Sequence, residues 1–441
     1  MNRRTDFPLP QHGASPATVL IAIATATVVL LVAIHSIAVL RRNGVRRAWQ
    51  ATLGSLEDVI ERYPKREANA IALDIERRSA NLGIDVVPRF VEDEARPGPD
   101  PGRVEAFHRV KSTVYGSFLK PLLEHPNLGD VGAPPEELLS YLLRNAGELG
   151  ALRGQLNNDS APLWESNISK LSSAPISNLL GQLDLHKLML SAALARIHAG
   201  DEATALEYLD ASWQLAGSLR DSPILINQLV LIAVTRTQMG VLRHVGDAPE
   251  TWRDRLNFDH RAAFLQSMKY EAWHWLYVEN LEDNASIWQK ALGPVVGPIM
   301  TYSVSDVSDS FRNRIENLET VEAICDYDLT AQEADLNVGG PKWNPISQIA
   351  IPNLASAVDR LASLELDLEM TRLTLEAKWA RRSNASGWQD ELVGERASTT
   401  CPNDTWQTSV AGEGIRIGFS REIAWPISGP ILPTHAIIDG T

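Results

Sequence analysis

Residues 190–219 read LSAALARIHAGDEATALEYLDASWQLAGSL, and this stretch decides the fold class. Leu183, Leu190, Leu194 and Ile197 share one face of a helix, because residues three, four and seven apart line up at 3.6 residues per turn. Gly200-Asp201 then breaks the pattern: glycine closes one helix and aspartate caps the next. Leu206, Leu209, Trp213 and Ala216 form a second stripe. Leu225, Leu229, Ile232, Met239 and Leu242 form a third after Ser222-Pro223. Connections this short force consecutive helices antiparallel. The spacing predicts that Leu190, Leu194, Leu209 and Trp213 pack together as a helical hairpin within a mainly α body.

The helical pattern extends to both sides. Trp49, Leu53, Leu56 and Ile60 predict one helix stopped by Pro64, and a second is expected over Ala68 to Asn81 with Gly83 at its C-cap. Glu92 to Arg103, with Pro97, Pro99 and Pro101, reads as an exposed linker. Downstream, Arg261 to Glu279 holds Phe264, Tyr270, Trp273, Trp275 and Tyr277, expected as core anchors. Gly293-Pro294 and Gly297-Pro298 suggest a turn or a lid-like loop. A long helix is expected from Asn353 to Ala380, with Val358, Leu361, Leu364, Leu368, Leu375 and Trp379 buried. Asp359, Glu365, Glu369 and Arg372 are expected on its solvated face. Thr405 to Val410 and Ile415 to Phe419, joined by Ala411-Gly412-Glu413-Gly414, predict a small β-hairpin. The tail carrying Pro426, Gly429, Pro430 and Pro433 is expected to be irregular.

Near the start lies an uncharged apolar run, Ala17 to Leu40, closed by Arg41, Arg42, Arg46 and Arg47. A bilayer's hydrocarbon core needs about 20 apolar helical residues to cross, so this run is expected to be a transmembrane helix. It is longer than the apolar region of a cleavable signal peptide and lacks a small-residue cleavage site after it. His35, near the end of the run, is expected to reach the headgroups. The four arginines form the only dense basic patch of a chain whose net charge is -14. Lipid headgroups are therefore the expected partner of that patch, and a nucleic-acid partner is not expected. The resulting division is an N-terminal tail (1–16), a transmembrane helix (17–40), a juxtamembrane helical stalk (41–91), a linker (92–103), a helical body (104–400) and a β-hairpin appendage with an irregular tail (401–441).

No motif names a reaction. His-Glu-x-x-His, phosphate-cradling glycine loops, Gly-x-Ser-x-Gly and Cys-x-x-Cys are all missing, so no catalytic residue, cofactor or metal site is assigned. Glu271 and His274 could share a helical face, a spacing common by chance. The two cysteines, Cys325 and Cys401, are a candidate disulfide pinning the β-appendage to the helical body, which favours an extracytoplasmic location. The arginine count after the apolar run favours the cytoplasm instead.

Residues 191–219, with Ala192, Ala193 and Ala195 before the Gly200-Asp201 turn, resemble one hairpin of a tetratricopeptide-type repeat, without a second copy at a fixed period. More broadly, the apolar run, Arg46-Arg47-Ala48-Trp49, Glu61-Arg62-Tyr63-Pro64, the Gly200-Asp201 turn and Cys401-Pro402 before Trp406 resemble uncharacterised single-pass bacterial membrane proteins with helical bodies. That resemblance implies a fold and an inner-membrane location, and no activity. The expected function is a membrane-anchored helical scaffold or protein-interaction module of the bacterial envelope. The alternatives are an envelope enzyme with a site assembled from dispersed residues, and a cytoplasm-facing adaptor.

Overall fold

Helix α1 (Pro16–Leu53) carries the apolar run and continues into the body without a break. In the computed structural model, the described residues are 16–88, 96, 98–124, 132–158, 160–276, 287–321, 345–383, 388–412, 414–425, 429–431 and 436–438. The apolar part of α1 is long and apolar enough to cross a membrane, and its most apolar stretch is not buried by the protein. Its polar side chains satisfy themselves locally: Thr25, Thr27 and Ser36 donate to carbonyls one turn back at 2.8, 2.9 and 2.8 Å. Ala38, Val45, Trp49 and Leu53 are buried.

Gly54, at φ 91, ends α1. Ser55 and Asp58 then form a capping box that starts α2 (Leu56–Arg62), so the single helix expected from Trp49 to Ile60 is two. Asn69 caps α3 (Ala70–Asn81). Gly83 follows at φ 77, where a Cβ would sit 2.2 Å from the carbonyl of Arg103. Next come α4 (Pro101–Ser112), a π-helical segment (Thr113–Leu119), α5 (Lys120–Glu124), α6 (Glu136–Arg144) and α7 (Ala146–Asn158). The predicted hairpin is α8 (Leu179–His198) and α9 (Glu202–Leu215), joined through Gly200 at φ 75 and capped by Asp201 on the amide of Thr204. Leu190, Leu194 and Leu209 are fully buried there, and Trp213 is 9% exposed.

The rest of the body comprises α10 (Gly217–Arg220), α11 (Leu225–Leu242), α12 (Thr251–Arg255), α13 (His260–Trp275), α14 (Ile287–Thr320), α15 (Pro345–Ser383) and α16 (Trp388–Leu392). α11 is also apolar enough to span a membrane, but most of it is buried as a core helix. Both Gly-Pro pairs expected in a loop lie inside α14. Glycine before proline removes the Cβ that would clash with the ring, and the helix passes through.

Paired contacts fix the helix directions. Ser308 donates to the Ala272 carbonyl at 2.8 Å and Arg261 to the Leu318 carbonyl at 2.5 Å, so α13 and α14 are antiparallel. Arg236 bonds Asp367 at 2.7 Å and Arg243 bonds Thr371 at 2.9 Å, so α11 and α15 run parallel.

One hydrophobic cluster runs from Val45 to Ile423. It includes Trp49, Leu53, Val59, Ala72 and Ile75, so the segment expected as a stalk is packed into the body. Within the expected linker, Arg96 bonds the buried Glu76 at 2.8 Å. The C-terminal appendage is larger than a hairpin. Strands β1 (Gly394–Ala397), β2 (Thr405–Ala411), β3 (Gly414–Phe419) and β6 (Ala436–Ile438) form an antiparallel sheet in the order β1-β2-β3-β6. The tail expected to be irregular supplies β6, and β4 (Ile423–Trp425) pairs with β5 (Gly429–Ile431) beside the sheet.

Candidate functional site

Helix α15 passes through the middle of the body, and its acids are not solvated as expected. Asp359, Asp367 and Glu369 are buried. Glu369, 7% exposed, is surrounded by donors. Its Oε1 accepts from the amide of Thr399 (2.8 Å) and from the amide and hydroxyl of Thr400 (2.7 and 2.9 Å). The Thr399 hydroxyl donates to the same oxygen. Its Oε2 accepts from the Ser398 hydroxyl (2.7 Å) and the Trp406 indole N–H (2.6 Å). Burial pushes this carboxyl up, but the donors prevail and hold it below the usual carboxylate range.

One turn earlier, Glu365 faces a different environment. It borders an open cavity of about 320 Å³ lined by Phe258, His260, Arg261, Arg372 and Thr400. Burial raises its carboxyl to about 7, with Arg261 opposing the shift and Asp259 and Glu369 adding to it. His260 is kept neutral, at about 3, by burial and then by the positive charges of Arg220 and Arg372. Its ring meets Phe258 edge-on at 4.7 Å, and neither ring nitrogen has a hydrogen-bond partner among the described residues. Arg372 donates to the Leu256 carbonyl at 2.7 Å, while its Nε is buried without a partner among the described residues.

The cavity thus joins a carboxyl that exchanges its proton near neutrality with two guanidinium groups and a neutral imidazole. Such a set can bind a small acid or anion, or move a proton at Glu365. The nearby Thr399 and Thr400 hydroxyls are both committed as donors to the Glu369 carboxylate. No cluster of three or more His, Cys, Asp or Glu fit to hold a metal occurs among the described residues.

The residues singled out from sequence are dispersed. Arg41 bonds Asp306 (2.9 Å) and lies 3.7 Å from Asp309, with its guanidinium over the Tyr302 ring of α14. Arg42 donates to the Leu276 carbonyl at 3.0 Å. Arg41 and Arg42 therefore tie α1 to the body; Arg46 is half-buried and Arg47 exposed. Cys401 is buried and carries no free thiol. Cys325 lies outside the described residues. Phe264, Tyr270 and Trp273 are core, as expected, and Tyr277 lies outside the described residues. Glu271 and His274 border a second, more apolar cavity with Tyr270.

Comparison with known proteins gives no match: no protein family fits the sequence, and no curated protein or solved structure is similar to it. The residues of the Glu365 cavity come from the start of α13, the middle of α15 and the loop before β2, so no local motif joins them. One signal was available. Leu366 and Met370 fall on the face of the helix opposite Leu361, Leu364, Leu368 and Leu375, a pattern apolar on two sides that marks a buried helix rather than one with a single solvated face.

Proposed function

We propose that this chain is a single-pass, membrane-anchored helical interaction module of the bacterial inner membrane, with its body on the extracytoplasmic side. The observation that carries the reading is α1: unburied through its most apolar stretch, then sunk into the core at Val45, Trp49 and Leu53. An apolar run of that length left in water would be strongly unfavourable, and a bilayer relieves it. The partner is expected to be another envelope protein.

Two experiments test this. Chemical crosslinking in native membranes should recover one partner in stoichiometric amount, and recovery of none would count against a scaffold. For sidedness, Cys401 carries no free thiol, and a disulfide belongs on the extracytoplasmic side. Maleimide should then label neither cysteine until a reductant is added, and protease outside the inner membrane should cleave the body. Two freely labelled thiols in a protected body would make the protein a cytoplasm-facing adaptor.

A second reading is supported by the cavity at Glu365. A proton-exchanging carboxyl facing Arg261, Arg372 and His260 is the kind of dispersed constellation that an envelope enzyme would use. Replacement of Glu365 by Gln separates the two readings, since partner capture should survive it and an activity at this site should not.

A further inference from the structure

The largest cavity described, about 590 Å³, is separate from the one at Glu365 and lies between the start of α11, the end of α13 and α15. Its walls are apolar, made by Ile224, Leu225, Leu229 and Ala357. Glu271, His274 and Arg360 stand on its rim. Beside it Ile226 is 48% exposed, an apolar side chain left to the surroundings at the first turn of α11.

The position of this cavity matters more than its size. Arg42, two residues beyond the apolar run, donates to the carbonyl of Leu276, two residues beyond His274. The rim is therefore level with the point where α1 leaves its apolar run. α14 carries no charged residue from Ala291 to Ser305, and α15 none from Pro345 to Val358. Both helices begin at this same end, because α14 and α15 each run antiparallel to α13: Ser308 meets Ala272, and Ser356 and Arg360 share the cavity with His274. The apolar run of α1, the uncharged stretch of α14 that follows Lys290 and the uncharged start of α15 thus lie toward one end of the body, where the apolar cavity sits.

We propose that this cavity takes an acyl chain of a bilayer phospholipid, with the lipid phosphate on the Arg360 side of the rim. The proposal rests on the membrane anchoring of α1. Its volume is in the range of ligand pockets, about 300–1,000 Å³. Arg360 is exposed and supplies a cation. α11 starts at Leu225 without a side-chain cap from Ile224, so its N-terminal amides add positive potential at the mouth. Glu271 on the same rim keeps the phosphate to the Arg360 side.

The test is photolabelling of the full chain in phosphatidylcholine nanodiscs that contain phosphatidylglycerol with a diazirine near the end of one acyl chain. Peptide mapping should find adducts both on residues 17–40 and on residues 224–229 or 356–360. Leu225→Trp, which fills the mouth, and Arg360→Glu, a surface change that leaves the walls intact, should each lower the cavity adducts on the order of tenfold, the effect of losing one good contact. Adducts on residues 17–40 should be unchanged in both variants. Labelling of residues 17–40 alone, or cavity labelling indifferent to both substitutions, overturns the lipid site and leaves the anchor standing. Loss of labelling at residues 17–40 together with release of the protein by carbonate overturns the anchor, and the lipid site with it.

Discussion

The indole N–H of Trp406 donates to Oε2 of Glu369 at 2.6 Å, so the C-terminal sheet is fastened to the centre of a buried helix rather than to the surface. Around that bond the turn Ser398-Thr399-Thr400 offers the carboxylate backbone and hydroxyl donors, and Cys401 follows, its amide donating to the Ser398 hydroxyl at 3.0 Å. Trp406 packs edge-on against Phe419 at 4.8 Å, which carries the attachment from β2 to β3. The appendage is held by a buried anion matched with neutral donors, and removal of the anion leaves those donors without an acceptor.

Glu369→Gln is expected to destabilise the protein by about 3 kcal/mol, because an amide supplies one acceptor oxygen and sets its own N–H groups against donors. Urea denaturation at pH 7 measures this, with Trp406 fluorescence shifting red at an earlier transition than the rest. The wild-type carboxyl is held below its ordinary value of 4.5, so its contribution is fully present above that pH and is lost as pH falls through the lower folded value. The variant should lack that acid limb. Equal stability of the two proteins at pH 7 would show that the cage is dispensable.

Glu365 behaves in the opposite sense. Its folded value is raised from 4.5 to about 7, so the fold favours the protonated form. Stability from this group is greatest below pH 4.5 and declines as pH rises to about 7. Glu365→Gln should flatten the stability profile across that window and should be more stable than wild type at pH 8. Parallel profiles for the two proteins would contradict the assigned environment.

Trp213→Ala should cost about 3 kcal/mol, the low end for a buried tryptophan, because the ring is 9% exposed. Its face carries the Arg220 guanidinium at 4.2 Å and its edge meets Trp252 at 5.9 Å, so both neighbours lose a contact. Thermal unfolding of the body reports the loss. A cost below about 0.5 kcal/mol, the level of an ordinary surface change, would contradict this packing.

Truncation distinguishes the two halves of α1. Deletion through Leu40 removes the exposed apolar run and should leave a cooperatively folding body, since Val45, Trp49 and Leu53 remain. Deletion through Leu53 removes three buried anchors and should abolish cooperative unfolding, at about 2–5 kcal/mol for each side chain lost. Calorimetry of the two truncated chains decides, and two equally stable bodies would mean that α1 merely rests on the core.

The hairpin of α8 and α9 was legible because its pattern is local: Leu190, Leu194, Leu209 and the Gly200-Asp201 turn each state their role within a few residues. The β-hairpin was legible for the same reason. Three features were not. The break at Gly54 was hidden by an apolar spacing that continues across it, although Ser55 and Asp58 mark the new start. The helical passage through Pro294 and Pro298 was hidden because Gly-Pro ordinarily marks a turn, although the glycine before each proline spares the clash that would stop the helix. The Glu365 cavity depends on contacts between residues about a hundred positions apart, such as Glu365 with Arg261, and the acids of α15 read as a solvated face when only one stripe of leucines was counted.

The backbone of α1 is helical from Pro16 to Leu53, with its last three turns gripped by the core. In a bilayer, the run from Ala17 to Leu40 would measure about 36 Å against a hydrocarbon thickness near 30 Å, a mismatch that a helix accommodates by tilting. With no swivel between run and body, tilt of the one is rotation of the other. Membrane thickness then becomes a mechanical input: a thinner bilayer leans the whole body over, and a thicker one stands it upright. The Glu365 cavity, about 21 Å along α13 from the lipid-level rim at His274, would be swung through an arc rather than held at one fixed bearing.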